Sequence, residues 1–409
     1  MKKKEAFIAA LDIGSSKVSC LISDMPEQKG ALNILGYGVG YHDCFKKGVV
    51  SDIKGLSDAV SAAVCEAEDI SGKKVQSVFL SVSGTHLKGF LSHGEVVISD
   101  KDNEITRHDV DRVIASAKSV HMPYERGIIY SSRGDFIVDS EPGVANPVGM
   151  FGMKLETNMF LVTAKISVID NIEKAVKYSG LGIEDTVISS LAGLKAVVPD
   201  HEKSLGVAFV DIGSDMTDIL VVSQSRPVFL KALAIGGRDI TKRLASELCV
   251  PEVEAERFKI ERFSLDSSGG ELIIPAGIMP KKLSQKPDLR GILAEEYTRI
   301  FKEIKKELKG SGCLGNIPSG VVMCGQSVTM DGCIELAESV LGIPVRIGRI
   351  IGLGALPKPL PCHVYFVAAG LLQLGAETRQ SKLSLLKLGP KNWLLALSEY
   401  AKGLYNDYF

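Results

Sequence analysis

The chain has 409 residues, 45% of them hydrophobic and 24% charged, with a formal net charge of −1. That length can bury two or more sizeable cores, and the balance is that of an ordinary soluble globular protein with no excess basic charge for bulk nucleic-acid binding. The eight cysteines form no Cys-x-x-Cys pair and no metal-like grouping with histidine, a pattern that suits buried thiols in a reducing cytosol.

Lys2-Lys3-Lys4 precede an apolar run that Asp12 ends. The run is too short for a signal-peptide core and reads as a first strand. Residues 5–80 follow as strand, hairpin, strand and helix, with the helix near Leu56–Glu68 and a strand at Val75–Val82. Residues 83–163 read as an insertion with its own strands at Glu95–Ile98, Ile128–Tyr130, Phe136–Val138 and Met159–Thr163. Its helix lies near Arg107–Val120, where Thr106 and Asp109 fit a cap. A helix over Asn171–Ser179 and a strand over Val187–Ser190 complete the first half.

The second half opens near Gly206. Its hairpin leads to Ile235-Gly236-Gly237-Arg238-Asp239-Ile240-Thr241, a glycine-hinged helix entry, and then to a helical arm including Glu252–Glu261. A polar span over 266–286 holds a short strand candidate at Leu272–Pro275, and a long helix covers Leu289–Leu308. The strand Gly320–Met323 meets Cys324-Gly325-Gln326-Ser327, another close-approach turn. The chain returns to its first half near Ala368–Gly375. The stretch from Val364 to Ala376 is the longest apolar one and is too short to cross a bilayer. Alternating strands and helices in both halves predict an α/β fold.

One pattern occurs twice, about half a chain apart. The first copy is Ala10-Leu11-Asp12-Ile13-Gly14-Ser15-Ser16-Lys17-Val18, and the second is Phe209-Val210-Asp211-Ile212-Gly213-Ser214-Asp215-Met216-Thr217-Asp218. Each is a strand, a Gly/Ser turn and a second strand, with an Asp ending the first strand. Glycine lets backbone approach a phosphate, turn N–H groups and hydroxyls form an anion nest, and an Asp can orient hydrated Mg²⁺. A single Asp-x-Gly is ordinary turn chemistry. The repetition predicts two related lobes gripping a nucleotide polyphosphate between them.

With the third turn, the order of these elements resembles the actin/Hsp70/sugar-kinase superfamily. Within it the chain resembles the FtsA family of bacterial cell-division actin homologues. The specific marks are Asn146-Pro147-Val148-Gly149-Met150-Phe151-Gly152-Met153-Lys154-Leu155-Glu156, Ile105-Thr106-Arg107-His108-Asp109-Val110, Ser83-Gly84-Thr85-His86 and the Gly236-Gly237 entry. The resemblance implies an actin-like two-lobed ATPase fold of duplicated RNase H-like cores. Lobe one comprises residues 1–82, an inserted subdomain 83–163, residues 164–205 and a terminal helix 356–379. Lobe two has its core in 206–237 and 315–355, with a partner-binding arm 238–314. A linker 380–391 and an amphipathic helix 392–409 follow.

The resemblance also implies ATP and Mg²⁺. Gly14, Ser15, Ser16 and Lys17 would hold phosphates from lobe one, and Gly213, Ser214, Asp215 and Thr217 from lobe two. Asp12 and Asp211 would position Mg²⁺ through water and act in any turnover. Gly236, Gly237, Glu256 and Lys259 would contact the nucleoside, with Gly325, Gln326 and Ser327 at the adenine. Glu256 and Lys259, three apart, share one helix face, which a plain surface ion pair would explain equally. Two departures stand out. Ser214-Asp215-Met216 replaces Gly-Gly-Thr, and Asp215 would repel a terminal phosphate unless it points away or meets the metal. Gln326 replaces a glycine. Weak binding or slow turnover, in a protein acting as a conformational scaffold, is the expectation.

In the tail, Trp393, Leu394, Leu397, Tyr400, Leu404, Tyr405 and Tyr408 fall at helical spacing, with Phe409 at the end. Such a helix either docks on its own core or lies in the headgroup plane of a membrane. The resemblance favours the membrane. It further implies self-association into filaments, contact with later division proteins, and binding of the tail of the tubulin homologue FtsZ. The last would use Arg290, Arg299 and Lys302 on a mixed-charge helix that is otherwise a solvated face. The place implied is the cytoplasmic side of the inner membrane at the division site. The alternatives are a pilus or secretion-system adaptor and a sugar-kinase-type phosphotransferase. The latter needs a general base that no motif places here.

Overall fold

The computed structural model describes residues 7–25, 30–99, 102–262, 288–354 and 361–387. The strand candidate at Leu272–Pro275 and the whole periodic tail from Trp393 to Phe409 lie outside them.

Strands β1 (Phe7–Ile13), β2 (Lys17–Asp24) and β3 (Ile34–Tyr41) form an antiparallel meander, followed by the small ribbon β4 (Phe45–Lys46) and β5 (Val49–Val50) and the helix α1 (Ile53–Ser71). Strand β6 (Ser77–Val82) then leads into the insertion: β7 (Lys88–Val97), α2 (Arg107–Lys118), β8 (Arg126–Val138), β9 (Glu141–Val144) and β10 (Lys154–Lys165). Helix α3 (Ile166–Tyr178) and strand β11 (Gly182–Ile188) close the first sheet, whose order is β11-β6-β1-β2-β3.

After α4 (Ser189–Val197) and α5 (Asp200–Leu205) the plan repeats with β12 (Val207–Ile212), β13 (Thr217–Ser223) and β14 (Arg226–Leu233). Helices α6 (Gly237–Leu248), α7 (Glu252–Arg262) and α8 (Leu289–Gly310) follow. Then come β15 (Val321–Cys324), α9 (Cys333–Leu341), β16 (Val345–Ile347) and α10 (Cys362–Lys387). The second sheet runs β14-β13-β12-β15-β16. Position for position this matches the first: two antiparallel ladders on one side of the central strand, two parallel ladders on the other.

Both central strands are near-continuous apolar runs because each is covered on both faces. In β12, Val207 and Phe209 face the inter-sheet core, while Ala208, Val210 and Ile212 face the core under α6 and α8. In β1, Ile8 and Ala10 face inward, and Ala9, Leu11 and Ile13 face the core under α1 and α3. Helices α4 and α10 cross between the sheets. Their approach is so close that a Cβ on Gly370 would lie 1.7 Å from the Ala192 carbonyl oxygen. Residues Ser189 and Ser190, read from sequence as strand, instead open α4, and α10 continues through residues 380–387, the first part of the expected linker.

A period-two glycine stripe explains the packing of β3 on α1. A Cβ on Gly36, Gly38 or Gly40 would meet the carbonyl oxygens of Ala67, Ala63 and Ala59 at 2.2, 2.1 and 2.0 Å. Alanines four apart on a helix line up with glycines two apart on a strand, so backbone meets backbone.

The insertion is an antiparallel sheet of order β7-β10-β8-β9, with α2 on one face; the other face packs near Gly89 and Phe160 against Leu230 of β14 and is open to solvent around His93 and Glu95. The expected cap is present: Thr106 N–H donates to Asp109 Oδ2 at 3.0 Å, and the two side chains share a 2.6 Å hydrogen bond. Asp135 of this sheet pairs with Arg226 of lobe two at 2.6 Å.

Candidate functional site

The two repeated turns are built alike. Gly14 N–H donates to the Lys17 carbonyl at 2.9 Å, and Gly213 N–H to the Met216 carbonyl at 2.9 Å. Each turn therefore presents its aspartate at the end of a buried central strand. The structure brings both aspartates to one place: Asp12 and Asp211 act on each other electrostatically, and Lys17 acts on both. Asp218, which sequence reasoning left out of the site, joins them. It stands directly opposite Asp211 in the β12–β13 ladder, and a carboxylate in the second copy where the first has Ser19 was the available signal.

Asp12 and Asp211 share the Lys17 ammonium, and Asp218 adds a third carboxylate beside them. Burial pushes the Asp12 carboxyl up to about 6 against the opposing pull of the Ser81 hydroxyl, which donates to Asp12 Oδ1 at 2.6 Å, and of Lys17. Burial, reinforced by Asp218 and Asp12, takes Asp211 up to about 8, and burial with Asp12 takes Asp218 up to about 7. Burial lowers Lys17 while Asp12 and Asp211 pull it back. Such raised values, set first by burial and, at Asp211 and Asp218, then by like charge, mark a candidate functional site.

Beside the second turn the backbone is packed to exclude side chains. Gly237 N–H donates to the Gly213 carbonyl at 2.9 Å and Arg238 N–H to the Ser214 carbonyl at 2.7 Å. A Cβ on Gly236 would lie 2.5 Å from the Ser214 oxygen. Gly325, at φ +97°, could carry one only 2.7 Å from Asp211 Oδ1. Lys259 is buried and more than a surface pair: its Nζ donates to the Gly237 carbonyl at 3.0 Å, to Thr241 at 2.8 Å and to Glu256 Oε2 at 2.7 Å. Thr241 also donates to Glu256. Ser327 is buried with its hydroxyl toward the Gly213 carbonyl, and Tyr297 holds the Ser327 carbonyl at 2.6 Å. Gln326 is exposed.

Asp215 is turned into an ion pair with Arg238 Nε at 2.9 Å, although burial still raises its carboxyl. Ser15 is buried, and Ser16 and Ser214 are half-buried. Thr217 does not reach the cleft: it is fully buried, and its hydroxyl donates to the Ile235 carbonyl at 2.9 Å, which anchors the glycine turn. On α8, Arg299 pairs with Glu296 at 2.9 Å, Lys302 is exposed and Arg290 is half-buried. A second cluster, His93, Glu95 and Glu156 on the open face of the inserted sheet, already holds the Lys154 ammonium, at 2.8 and 3.2 Å from the two carboxylates. Among the described residues no helix is long and apolar enough to cross a membrane.

Comparison with known proteins agrees with this arrangement. A family model described as "SHS2 domain inserted in FTSA" matches residues 84–163, and one described as "Cell division protein FtsA" matches residues 208–360. The cell division protein FtsA of Pseudomonas aeruginosa is 31% identical over 384 residues, 92% of this chain and 91% of that one. That of Neisseria meningitidis is 32% identical, covering 92% of each. Among solved structures, the PilM-PilN type IV pilus biogenesis complex is similar at TM-score 0.63 and 15% identity, covering 90% of this chain and 98% of that one. MreB5 of Spiroplasma citri bound to ADP is similar at TM-score 0.53 and 12% identity, covering 93% and 99%. These two likenesses concern the fold, whereas the family matches concern the sequence itself. The chain thus belongs to the FtsA family of cell-division proteins and carries that family's actin-like fold with its inserted SHS2 domain.

Proposed function

We propose that this cell-division protein binds ATP with Mg²⁺ in the cleft between its lobes and acts as a membrane-attached scaffold for an FtsZ ring. The observation that carries the nucleotide reading is the grouping of Asp12, Asp211 and Asp218, the first two acting on Lys17, beside the packed glycine turns at Gly236, Gly237 and Gly325. The donor set fits a hard divalent cation, which would be held through water by Asp12 and Asp211. Gly14, Ser15, Ser16 and Lys17 would take phosphates from one side, and Gly213 and Ser214 from the other. Glu256, Lys259 and the Gly325 turn would bound the nucleoside. Slow turnover follows from a second loop that carries Ser214-Asp215-Met216 where backbone approach needs glycine. Calorimetric titration with ATP·Mg²⁺ should show saturable binding that requires the metal; nanomolar affinity with fast turnover contradicts the slow-scaffold reading.

The remaining roles rest on family membership and on sequence pattern. Self-association into filaments follows the actin-like fold. Contact with FtsZ would use α8, where Lys302 is exposed and Arg299 is partly engaged by Glu296. Charge reversal at Arg290 and Arg299 should weaken binding of an FtsZ tail peptide. The aromatic tail from Trp393 to Phe409 would lie in the membrane interface on the cytoplasmic side. Liposome flotation should fall when residues 390–409 are removed, and equal flotation ends the anchoring reading.

A further inference from the structure

The inserted domain belongs to lobe one by chain connection, yet it rests on lobe two. Its chain leaves lobe one after β6 and returns through β10 into α3. At that root Arg126 donates to the His86 carbonyl at 2.9 Å and to the Thr163 carbonyl at 2.8 Å. Gly84, at φ +151°, gives the entering chain a bend that a side chain would strain.

Away from the root the insertion meets β14 at two points. Leu230 is buried in one core with Leu87, Phe160 and Val162 of the insertion, and a Cβ on Gly89 would lie 2.8 Å from Leu230 Cβ, so the missing side chain admits the close approach. At the start of the strand, Arg226 pairs with Asp135 at 2.6 Å, and both side chains are partly exposed. Around this pair the two bodies stand apart. A cavity of about 390 Å³ separates them, lined by Ile137, Pro142 and Asn158 on one side and by Gln224 and Arg226 on the other. The apolar end of the contact is dry, and the ionic end is open.

From this contact β14 leads to the candidate nucleotide site. Its Leu233 is the register partner of Thr217, the first residue of β13 after the second loop, and the Thr217 hydroxyl donates to the Ile235 carbonyl at 2.9 Å. Gly236 and Gly237 follow, packed on the carbonyls of Gly213 and Ser214. Phe229 and Leu233 pack on the core under α6 and α8, so the strand moves with its lobe. One strand therefore bears the insertion at its start and braces the second loop at its end. A change in lobe spacing must be absorbed either at the root, near Gly84, or at the contact with Leu230 and Arg226.

We propose that the inserted domain is a strap between the lobes: its contact with β14 holds the cleft closed, and nucleotide bound between the two loops tightens that contact in turn. This rests on the nucleotide reading above. A ligand held by both loops favours the arrangement in which the loops face each other, and the Leu230 and Arg226 contacts exist in that same arrangement. Two equilibria that share one arrangement are linked, so each strengthens the other by the same factor. The adjustable part of the strap is the Asp135–Arg226 pair, since breaking it leaves both cores intact. A partly exposed ion pair sets the scale at a few-fold.

The test uses the full chain, with calorimetric titration of ATP·Mg²⁺ and amide hydrogen exchange read by mass spectrometry. In wild type, ATP·Mg²⁺ should slow exchange in β7 and β8, which contain no residue of the candidate site. Arg226→Ala and Asp135→Ala should each weaken ATP·Mg²⁺ binding about threefold and remove most of that slowing, and the double variant should lose no more than either alone. Arg226→Lys retains the charge and should keep most of both. A general loss of stability would speed exchange with and without nucleotide alike and leave the nucleotide-dependent difference in place. Exchange in β7 and β8 that ignores bound ATP, or single variants that match wild type in both readouts, overturns the strap while the nucleotide reading stands. Wild type that binds no ATP·Mg²⁺ removes the two together.

Discussion

At the end of β1, Asp12 accepts a hydrogen bond from Ser81 on the parallel neighbour β6, and Lys17 stands in its own turn. At the end of β12, Asp211 has Cys324 as its register partner on the parallel neighbour β15 and Asp218 opposite it on β13. The corresponding β2 position in the first lobe is Ser19. One scaffold thus carries two charge states. The first aspartate has a hydroxyl and a cation of its own, and its carboxyl is raised to about 6; the second has a thiol and a second carboxylate, and is raised to about 8. The first loop brings the cation, and the second brings the demand for one. That is why Lys17 serves both aspartates, and why neither lobe alone would make the site.

The strongest way to break this asymmetry is Lys17→Ala. It leaves three clustered carboxylates uncompensated, and nucleotide affinity measured by calorimetry should fall about tenfold or more. Next in size is the Asp215–Arg238 pair. Arg238→Ala exposes the second loop to an unneutralised carboxylate and should weaken ATP binding about tenfold. Asp215→Gly should shift it by less than about threefold, and the double variant should return most of the loss. An Arg238→Ala variant with unchanged affinity would mean that the carboxylate does not face the phosphates even when released.

A smaller effect is expected in pH dependence. The folded values of Asp12, Asp211 and Asp218, about 6, 8 and 7, all lie above the unfolded carboxylate range near 4. Between about pH 4 and 8 the native state therefore holds protons that the unfolded chain has released. These groups oppose folding progressively as pH rises through that window. The metal-free, nucleotide-free protein should melt about 2 °C higher at pH 6 than at pH 8 on their account, and Asp211→Asn should reduce that difference. A thermal midpoint that rises across the same interval, unaltered by Asp211→Asn, would contradict this picture of raised carboxylates. The smallest expected change comes from exchanging the strand neighbours. Cys324→Ser gives Asp211 a hydroxyl donor and should move its titration, followed by carboxyl ¹³C shifts, toward that of Asp12; Ser81→Ala should move Asp12 the opposite way.

Much of this was legible in the sequence because it is local. The paired Asp-Ile-Gly-Ser turns, the Thr106–Asp109 cap and the helices over α1, α2 and α8 each follow from short-range pattern and turn chemistry. The same reasoning misplaced Ser189-Ser190, since Ile188 and the apolar run after it read alike in a strand and in a buried helix. It also sent Thr217 to the cleft, because residue type shows that a hydroxyl is available but not which way a ladder position points. Asp218 was passed over, as it gains meaning only from what stands opposite, Asp211 across a ladder.

The duplication, the lobe order and the identity of the two loops are written in residue type and in spacing along the chain. The charge balance is set by tertiary contacts. Whether Asp215 repels or is neutralised, whether Lys259 is a surface ion or a buried strut, and how many carboxylates share Lys17 depend on burial and on through-space distance. Electrostatic energies vary with both, and neither is a property of sequence separation.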